Sequence, residues 1–330
     1  MLTREPAVDV STPSAANGPA KYPLRVENVI VLPQVKGGFD LMAADVTGHR
    51  LFVAAEDNNT VEVVDTVSGK PEHSIGGFRQ PKGIAYVADS RKLYVSNKDD
   101  GMVDVLDSTT FSRLARVDFK SKANNVHFDP RSRTIYVGYG EGAIGTIMTI
   151  DDSRGPDVPL ASYPKQFRLE SDSPRIFVNV PVANHVAVID RKQNRVIQIW
   201  PIREAKSNVP MALDEAHHRL MVACDPGQFI VLNTDTGQSV SSFKIKTAAD
   251  GIHYDSVRHA VYVSCGEGYL QVIRQHGPDS YDLIETIPTV AGAGTSLFVP
   301  ELDRLYLAVP QTKNRPAEIW VYQATASAQP

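Results

Sequence analysis

The chain has 330 residues, of which 42% are hydrophobic and 22% charged, and its net charge is −4. This composition is typical of a globular protein with a large core, and the acidic balance argues against a surface for nucleic acid. No apolar run reaches the roughly 18 residues that a membrane span needs.

The first segment, residues 1–24, is rich in Ala, Ser, Pro and Thr and lacks the hydrophobic stretch of a signal peptide. We expect it to be a disordered leader, and we expect residues 326–330 to be a disordered tail. The repeats that fill residues 25–325 predict one domain there.

A short phrase of an aliphatic residue, a central and mostly aromatic residue and a valine recurs seven times, as in "RKLYVSN" and "HAVYVSC". Successive copies are 41 to 44 residues apart. Each copy is followed by a second alternating run and by turn residues, so each repeat accommodates four short strands. The pattern predicts an all-β protein, a seven-bladed β-propeller with four-stranded blades. The central residues are Phe52, Tyr94, Tyr136, Phe177, Met221, Tyr262 and Tyr306.

The two ends of the repeat array complement each other. The seventh repeat ends with "EIWVYQ" and lacks a fourth strand, whereas the strand-like run "LRVENVIVLPQ" precedes the first repeat without a partner. We expect this N-terminal strand to complete the last blade, because that closes the ring and hides open sheet edges.

The phrases "KLYVSN", "TIYVGY" and "AVYVSC" resemble the YVTN-repeat family of bacterial seven-bladed propellers, over residues 27–323. The phrase "FVPELDRLYLAVP" also resembles a branch of propellers that are often exported. The resemblance implies a periplasmic or secreted protein, and it assigns no catalytic residue.

The first strand of each propeller blade lines the central channel, and ligands tend to bind where strand ends and loops converge around such a cavity. Positions nine, eleven and twelve residues before the central residue are polar in several repeats, and they predict a polar channel mouth. These polar residues are His127, Arg168 and His253 at position nine, Asn125, Gln166 and Thr295 at position eleven, and Asp40, Lys82, Asn124, Lys165 and Asp250 at position twelve.

Blades three and six share a further pattern, a histidine followed fourteen residues later by a glutamate between two glycines. The pairs are His127 with Glu141 and His253 with Glu267. Three interpretations stay open. Duplication could preserve a tight turn, the four side chains could bind a divalent metal, or they could be catalytic, with each glutamate holding the tautomer of an acid–base histidine.

Cations at the same mouth suggest an anionic ligand. Arg168 and Lys82 would suit a carboxylate or a phosphate, because arginine can bind such a group through two parallel N–H groups. The alternative is that they pair with Asp40, Asp250 or a turn glutamate. Asn125 would either orient the ligand or cap a turn.

Cys224 and Cys265 stand at the same position of adjacent blades. Equivalent positions point the same way around a ring rather than toward each other. We therefore expect two buried free thiols rather than a disulfide.

Three functions follow from these residues. The one we favour is a small-molecule-binding propeller with a polar pocket at the channel mouth, acting as an envelope sensor or accessory protein. The second is an enzyme that uses the same pocket, either a metal-assisted lactonase-like hydrolase or a lyase with histidine acid–base chemistry. The third is a platform for a protein partner. A divalent metal is the one cofactor that the residues suggest.

Overall fold

The computed structural model describes residues 23–325. The predicted leader, apart from its last two residues, and the predicted tail lie outside this range. Within it the chain forms seven antiparallel sheets in sequence order, as predicted. No helix among residues 23–325 is long and apolar enough to cross a membrane.

The first three blades occupy the segment from Met42 to Pro159, and each runs from an inner to an outer strand. In blade three the outer position is divided between two short strands, which both pair with the third strand. The strands are Met42–Asp45, Arg50–Ala55, Thr60–Asp65 and Lys70–Ile75 in blade one, Pro81–Val87, Lys92–Asn97, Met102–Asp107 and Arg113–Asp118 in blade two, and Ala123–Asp129, Thr134–Tyr139, Ala143–Met148, Ser153–Arg154 and Val158–Pro159 in blade three.

Blades four to seven complete the ring, and three 3₁₀ helices, Glu56–Asn58, Ala88–Ser90 and Pro300–Leu302, occur in turns. The strands are Phe167–Leu169, Arg175–Val180, His185–Asp190 and Arg195–Pro201 in blade four, Lys206–Asp214, Arg219–Asp225, Gln228–Asn233 and Ser239–Lys244 in blade five, Ala249–Asp255, Ala260–Cys265, Tyr269–Gly277 and Ser280–Pro288 in blade six, and Ser296–Val299, Arg304–Val309, Ala317–Ala324 and the N-terminal Leu24–Leu32 in blade seven.

The N-terminal strand closes the ring as predicted. Leu24–Leu32 pairs antiparallel with Ala317–Ala324, and its register shifts between Val26 and Asn28. The residue at this bulge is Glu27, whose carboxylate accepts two hydrogen bonds from Arg304, at 2.6 and 2.7 Å. The bulge thus directs a bidentate ion pair onto the second strand of the same blade.

The central residues of the repeats hold neighbouring blades together. Phe52 packs in the apolar cluster between blades one and two, and Tyr94 packs between blades two and three. The pattern continues around the ring to Tyr306, which lies between blades seven and one. These side chains are almost fully buried, so burial of their apolar surface stabilises every junction between blades.

A recurrent buried aspartate, seven residues before the central residue, has a structural role. Asp45 accepts a hydrogen bond from the Gly48 N–H at 2.8 Å and pairs with Arg50 at 2.6 Å. Asp255 likewise accepts from the turn N–H groups of Val257 and Arg258. Because both carboxylates are saturated by their own turns, they shape the hairpin rather than a ligand site.

Candidate functional site

The register of the sheets determines where the side chains of the inner strands point. The residue nine positions before each central residue pairs directly opposite to it, as in His127 with Tyr136 and His253 with Tyr262. Directly opposed side chains share one face of a sheet. These inner residues therefore point toward the next blade: His127 packs its ring against Phe167, with the centroids 4.6 Å apart.

An ion cluster lies at the channel mouth. Lys82 pairs with Asp40 at 2.8 Å and also contacts Glu56, which belongs to the turn after the second strand of blade one. Burial raises the pKa of Asp40 to about 6, although Lys82 opposes the shift; the negative charges of Asp250 and Glu56 add to it. Burial lowers the pKa of Lys82, but the negative charges of Asp40 and Glu56 raise it by more. The pKa of Lys82 therefore lies above its usual value.

Beside this cluster lies a cavity of about 250 Å³, which we call the lysine-rich cavity. Four lysines surround it, whereas only two carboxylates do. Lys98 approaches Glu56 at 3.8 Å, and Lys165 lies 5.8 Å from the centre of the Tyr163 ring. Within residues 23–325, neither Lys122 nor Lys165 forms an ion pair. The lining residues are Asp40, Lys82, Lys98, Lys122, Asn124, Gly140, Glu141, Tyr163 and Lys165.

Deeper in the channel, Arg168 lies with His127 and His253, and we call these three residues the inner cluster. The Arg168 guanidinium donates to the Phe167 carbonyl at 3.0 Å and to the Gln166 amide oxygen at 3.3 Å. It forms no ion pair with any carboxylate of the described chain. Burial lowers the pKa of Arg168 to about 10, so the side chain stays charged at neutral pH.

The two histidines of the inner cluster are neutral. Burial, followed by the positive charge of Arg168, lowers the pKa of each to about 3. His253 Nε2 lies 3.0 Å from the Ser296 carbonyl oxygen, which can only accept, so the Nε2 atom carries the proton. His127 Nε2 is buried and has no hydrogen-bond partner among residues 23–325. All three residues are half-buried, so each keeps some accessible surface.

Gln166 separates the mouth from the inner cluster. Its amide nitrogen donates to the Asp250 carbonyl of blade six at 3.0 Å, and its amide oxygen accepts from Arg168. The Asp250 carboxylate accepts a hydrogen bond from Thr295 at 3.4 Å. Asn125 is buried nearby on the inner strand of blade three, and its amide oxygen has no partner in the described part of the chain.

The predicted His–Glu pairs do not come into hydrogen-bond contact. Glu267 accepts from the Thr247 N–H and hydroxyl, both at 2.8 Å, and this N–H lowers the pKa of Glu267. Glu141 is exposed at the rim of the lysine-rich cavity. His253, in contrast, contacts Ser296. Among residues 23–325, no three His, Cys, Asp or Glu side chains converge on a point where they could hold a metal ion.

Several residues of the site did not emerge from the repeat alignment. Glu56 and Lys98 follow the second strands of blades one and two, and Lys122 and Tyr163 precede the inner strands of blades three and four. All four lie in loops on the face that holds the channel mouth. Aligning the loop positions as well as the strand positions would have identified them as candidates.

Comparison with known proteins supports the fold and leaves the function open. No family model matches the chain. The uncharacterized protein YncE of Salmonella typhi is 26% identical over 98 residues, which are 29% of this chain and only 27% of that protein.

Three solved structures share the architecture at low identity. They are hydrazine synthase of Kuenenia stuttgartiensis (TM-score 0.75, 17% identity, 89% of this chain and 97% of that chain), U3-55K (0.77, 12%, 89% and 98%) and the WD40 repeats of RRP9 (0.79, 12%, 90% and 97%). These similarities, with the seven sheets described above, show that the chain is a seven-bladed β-propeller.

Proposed function

We propose that the protein binds a small anionic molecule, one that carries a carboxylate or a phosphate, in the lysine-rich cavity. The observation that carries this proposal is that two of the four lysines around one cavity at the channel mouth, Lys122 and Lys165, have no carboxylate partner in the described chain. Resemblance to the YVTN-repeat family extends the proposal to an envelope protein with a sensor or accessory role.

The size and the charge of the cavity favour a small ligand. Its volume of about 250 Å³ lies just below the roughly 300–1,000 Å³ of common small-molecule sites. Lys122 and Lys165 have no carboxylate partner in the described chain, so their charges remain available to an anion. Lysine ammonium groups on flexible stems bind anions as point charges and adapt to several geometries. The Tyr163 hydroxyl and the Asn124 amide can add directional hydrogen bonds.

The enzymatic alternative has less support from the geometry. Because both histidines are neutral down to acidic pH and lack contacts to the glutamates, the inner cluster has no complete acid–base pair. The enzyme stays a prediction, and so does the interaction platform.

Isothermal titration with sulfate and with succinate tests the proposal. The double variant Lys122→Gln/Lys165→Gln should weaken the binding of at least one of these anions by about tenfold or more, since about 1.4 kcal/mol corresponds to each factor of ten. Lys70→Gln is the matched control, because Lys70 is exposed and lies on the opposite face of the ring.

The affinity of the wild-type protein should also fall as the ionic strength increases. Absence of binding for both anions, or equal affinities in the wild type and the double variant, would overturn the proposal.

A further inference from the structure

A half-buried charge without a counter-ion stands out in the inner cluster. The Arg168 guanidinium has five N–H donors, and only two hydrogen bonds, to Phe167 and Gln166, involve them within the described range. No carboxylate from residues 23–325 pairs with it. Its charge acts on His127 and His253, which are neutral and cannot compensate it.

Packing does not explain why an arginine occupies this position. The equivalent residue of the other blades is apolar in four cases, which are Ala43, Ala85, Ala212 and Leu297. An isolated charge in a desolvated place is unfavourable unless it is paired.

Two further polar groups, both on the inner strand of blade three, lack a partner. His127 Nε2 and the Asn125 amide oxygen are both buried without a hydrogen-bond partner in the described part of the chain. Buried polar groups are almost always satisfied in native structures. The Asn125 amide oxygen needs a donor, whereas the free N–H groups of Arg168, and His127 Nε2 when it carries the proton, can donate to an occupant that is negatively charged and accepts hydrogen bonds.

We propose that the inner cluster binds one carboxylate group, which Arg168 holds through its free N–H donors inside the channel. A planar, singly charged group fits the planar fork of one guanidinium, whereas a doubly charged group would leave a net negative charge beside neutral imidazoles. His127 donates a further hydrogen bond when its Nε2 atom carries the proton. This site is distinct from the lysine-rich cavity and does not depend on a ligand there.

Acetate is the probe for this site, at constant ionic strength. Calorimetry should show that the wild type and the control Lys70→Gln bind acetate equally, whereas Arg168→Met binds it about tenfold more weakly or not at all. Arg168→Lys keeps the charge but loses the bidentate geometry, and we expect an intermediate affinity. The Arg168 Nε–H resonance, assigned by its loss in Arg168→Lys, should shift when acetate is added to the wild type.

Two results would overturn the proposal. One is an acetate titration of the wild type without heat or resonance shift, and the other is an acetate affinity that Arg168→Met leaves unchanged. The resonance shift keeps the test valid if Arg168→Met folds poorly, because it is measured on the wild type.

Succinate distinguishes the two sources of the carboxylate. If the group belongs to a longer ligand that also occupies the mouth, both the Arg168→Met and the lysine variant should weaken succinate binding. If it belongs to a free small anion, acetate and succinate should depend on Arg168 alone. Loss of sulfate binding in the lysine variant, together with an acetate affinity that still depends on Arg168, would leave both proposed sites standing, each with its own residues.

Discussion

Asp40 gives the sharpest test of the electrostatics at the channel mouth. Its pKa is raised from 3.8 to about 6, chiefly by burial, so the folded state binds an extra proton between these values. The free energy of unfolding therefore falls as the pH rises through this window, and it stays lower above pH 6. At neutral pH the shift lowers the free energy of unfolding by at most about 3 kcal/mol.

Asp40→Asn removes this titration, because the amide cannot ionise. At pH 7.5 the variant should unfold with a free energy up to about 3 kcal/mol higher than that of the wild type. The difference between the two proteins should shrink by about 1.4 kcal/mol at pH 5, where the wild-type carboxyl is mostly protonated. Urea unfolding at both pH values measures both quantities.

The matched control is Glu141→Gln, since Glu141 lines the same cavity but is exposed. It should leave the pH dependence unchanged. The reasoning is refuted if Asp40→Asn keeps the wild-type change in stability between pH 5 and 7.5, or if the control alters it equally. The same titration should appear in ligand binding: sulfate, whose charge is constant over this range, should bind the wild type more tightly at pH 5, and Asp40→Asn should remove that dependence.

Three further predictions concern the fold and the turns. Ile30→Ala in the closing strand should lower the free energy of urea unfolding by about 2–5 kcal/mol, because Ile30 is 2% exposed; Val31→Ala, at 43% exposed, should change it by about 0.5 kcal/mol or less. Glu267→Ala should cost about 1 kcal/mol of thermal stability through its lost turn hydrogen bonds, without altering acetate binding. Burial raises the pKa of Cys224 and of Cys265 to about 12, so both thiols should resist a thiol reagent until urea unfolds the chain.

The fold was predictable because each repeat carries the same local information. The central aromatic residue, the turn aspartate and the alternation of the strands recur with one spacing, and every copy predicts the same hairpin register. The register of His127 opposite Tyr136 follows directly from that alignment. The divided outer strand of blade three does not follow from the repeat pattern, because Gly155 and Pro156 interrupt it where the outer strands of other blades continue.

The sequence predicts which residues line the channel mouth, but not which of them pair with each other. Repeat alignment brought Lys82, Arg168 and His253 to the channel, because the inner strand is the same in every blade. Which carboxylate neutralises which cation depends on loops from other blades, and Glu56 reaches Lys82 from a turn that no strand pattern describes. Likewise, Glu267 could pair with its histidine or with a turn N–H, and only three-dimensional contacts distinguish the two.

The inner cluster and Asp40 both keep a charged group in a place where an apolar or neutral group would be at least as stable. A ring designed for stability alone would place apolar residues at every inner position, as four blades do, because replacing buried ionic groups by apolar ones is often neutral or stabilising. Arg168 instead keeps a desolvated charge, and Asp40 keeps a carboxyl that burial disfavours. If Arg168 exists to bind an anion, Arg168→Met should be at least as stable as the wild type without acetate and should gain nothing from it. If its role is structural, the variant should instead be less stable at every acetate concentration by the same amount, so the acetate dependence of stability separates the two roles.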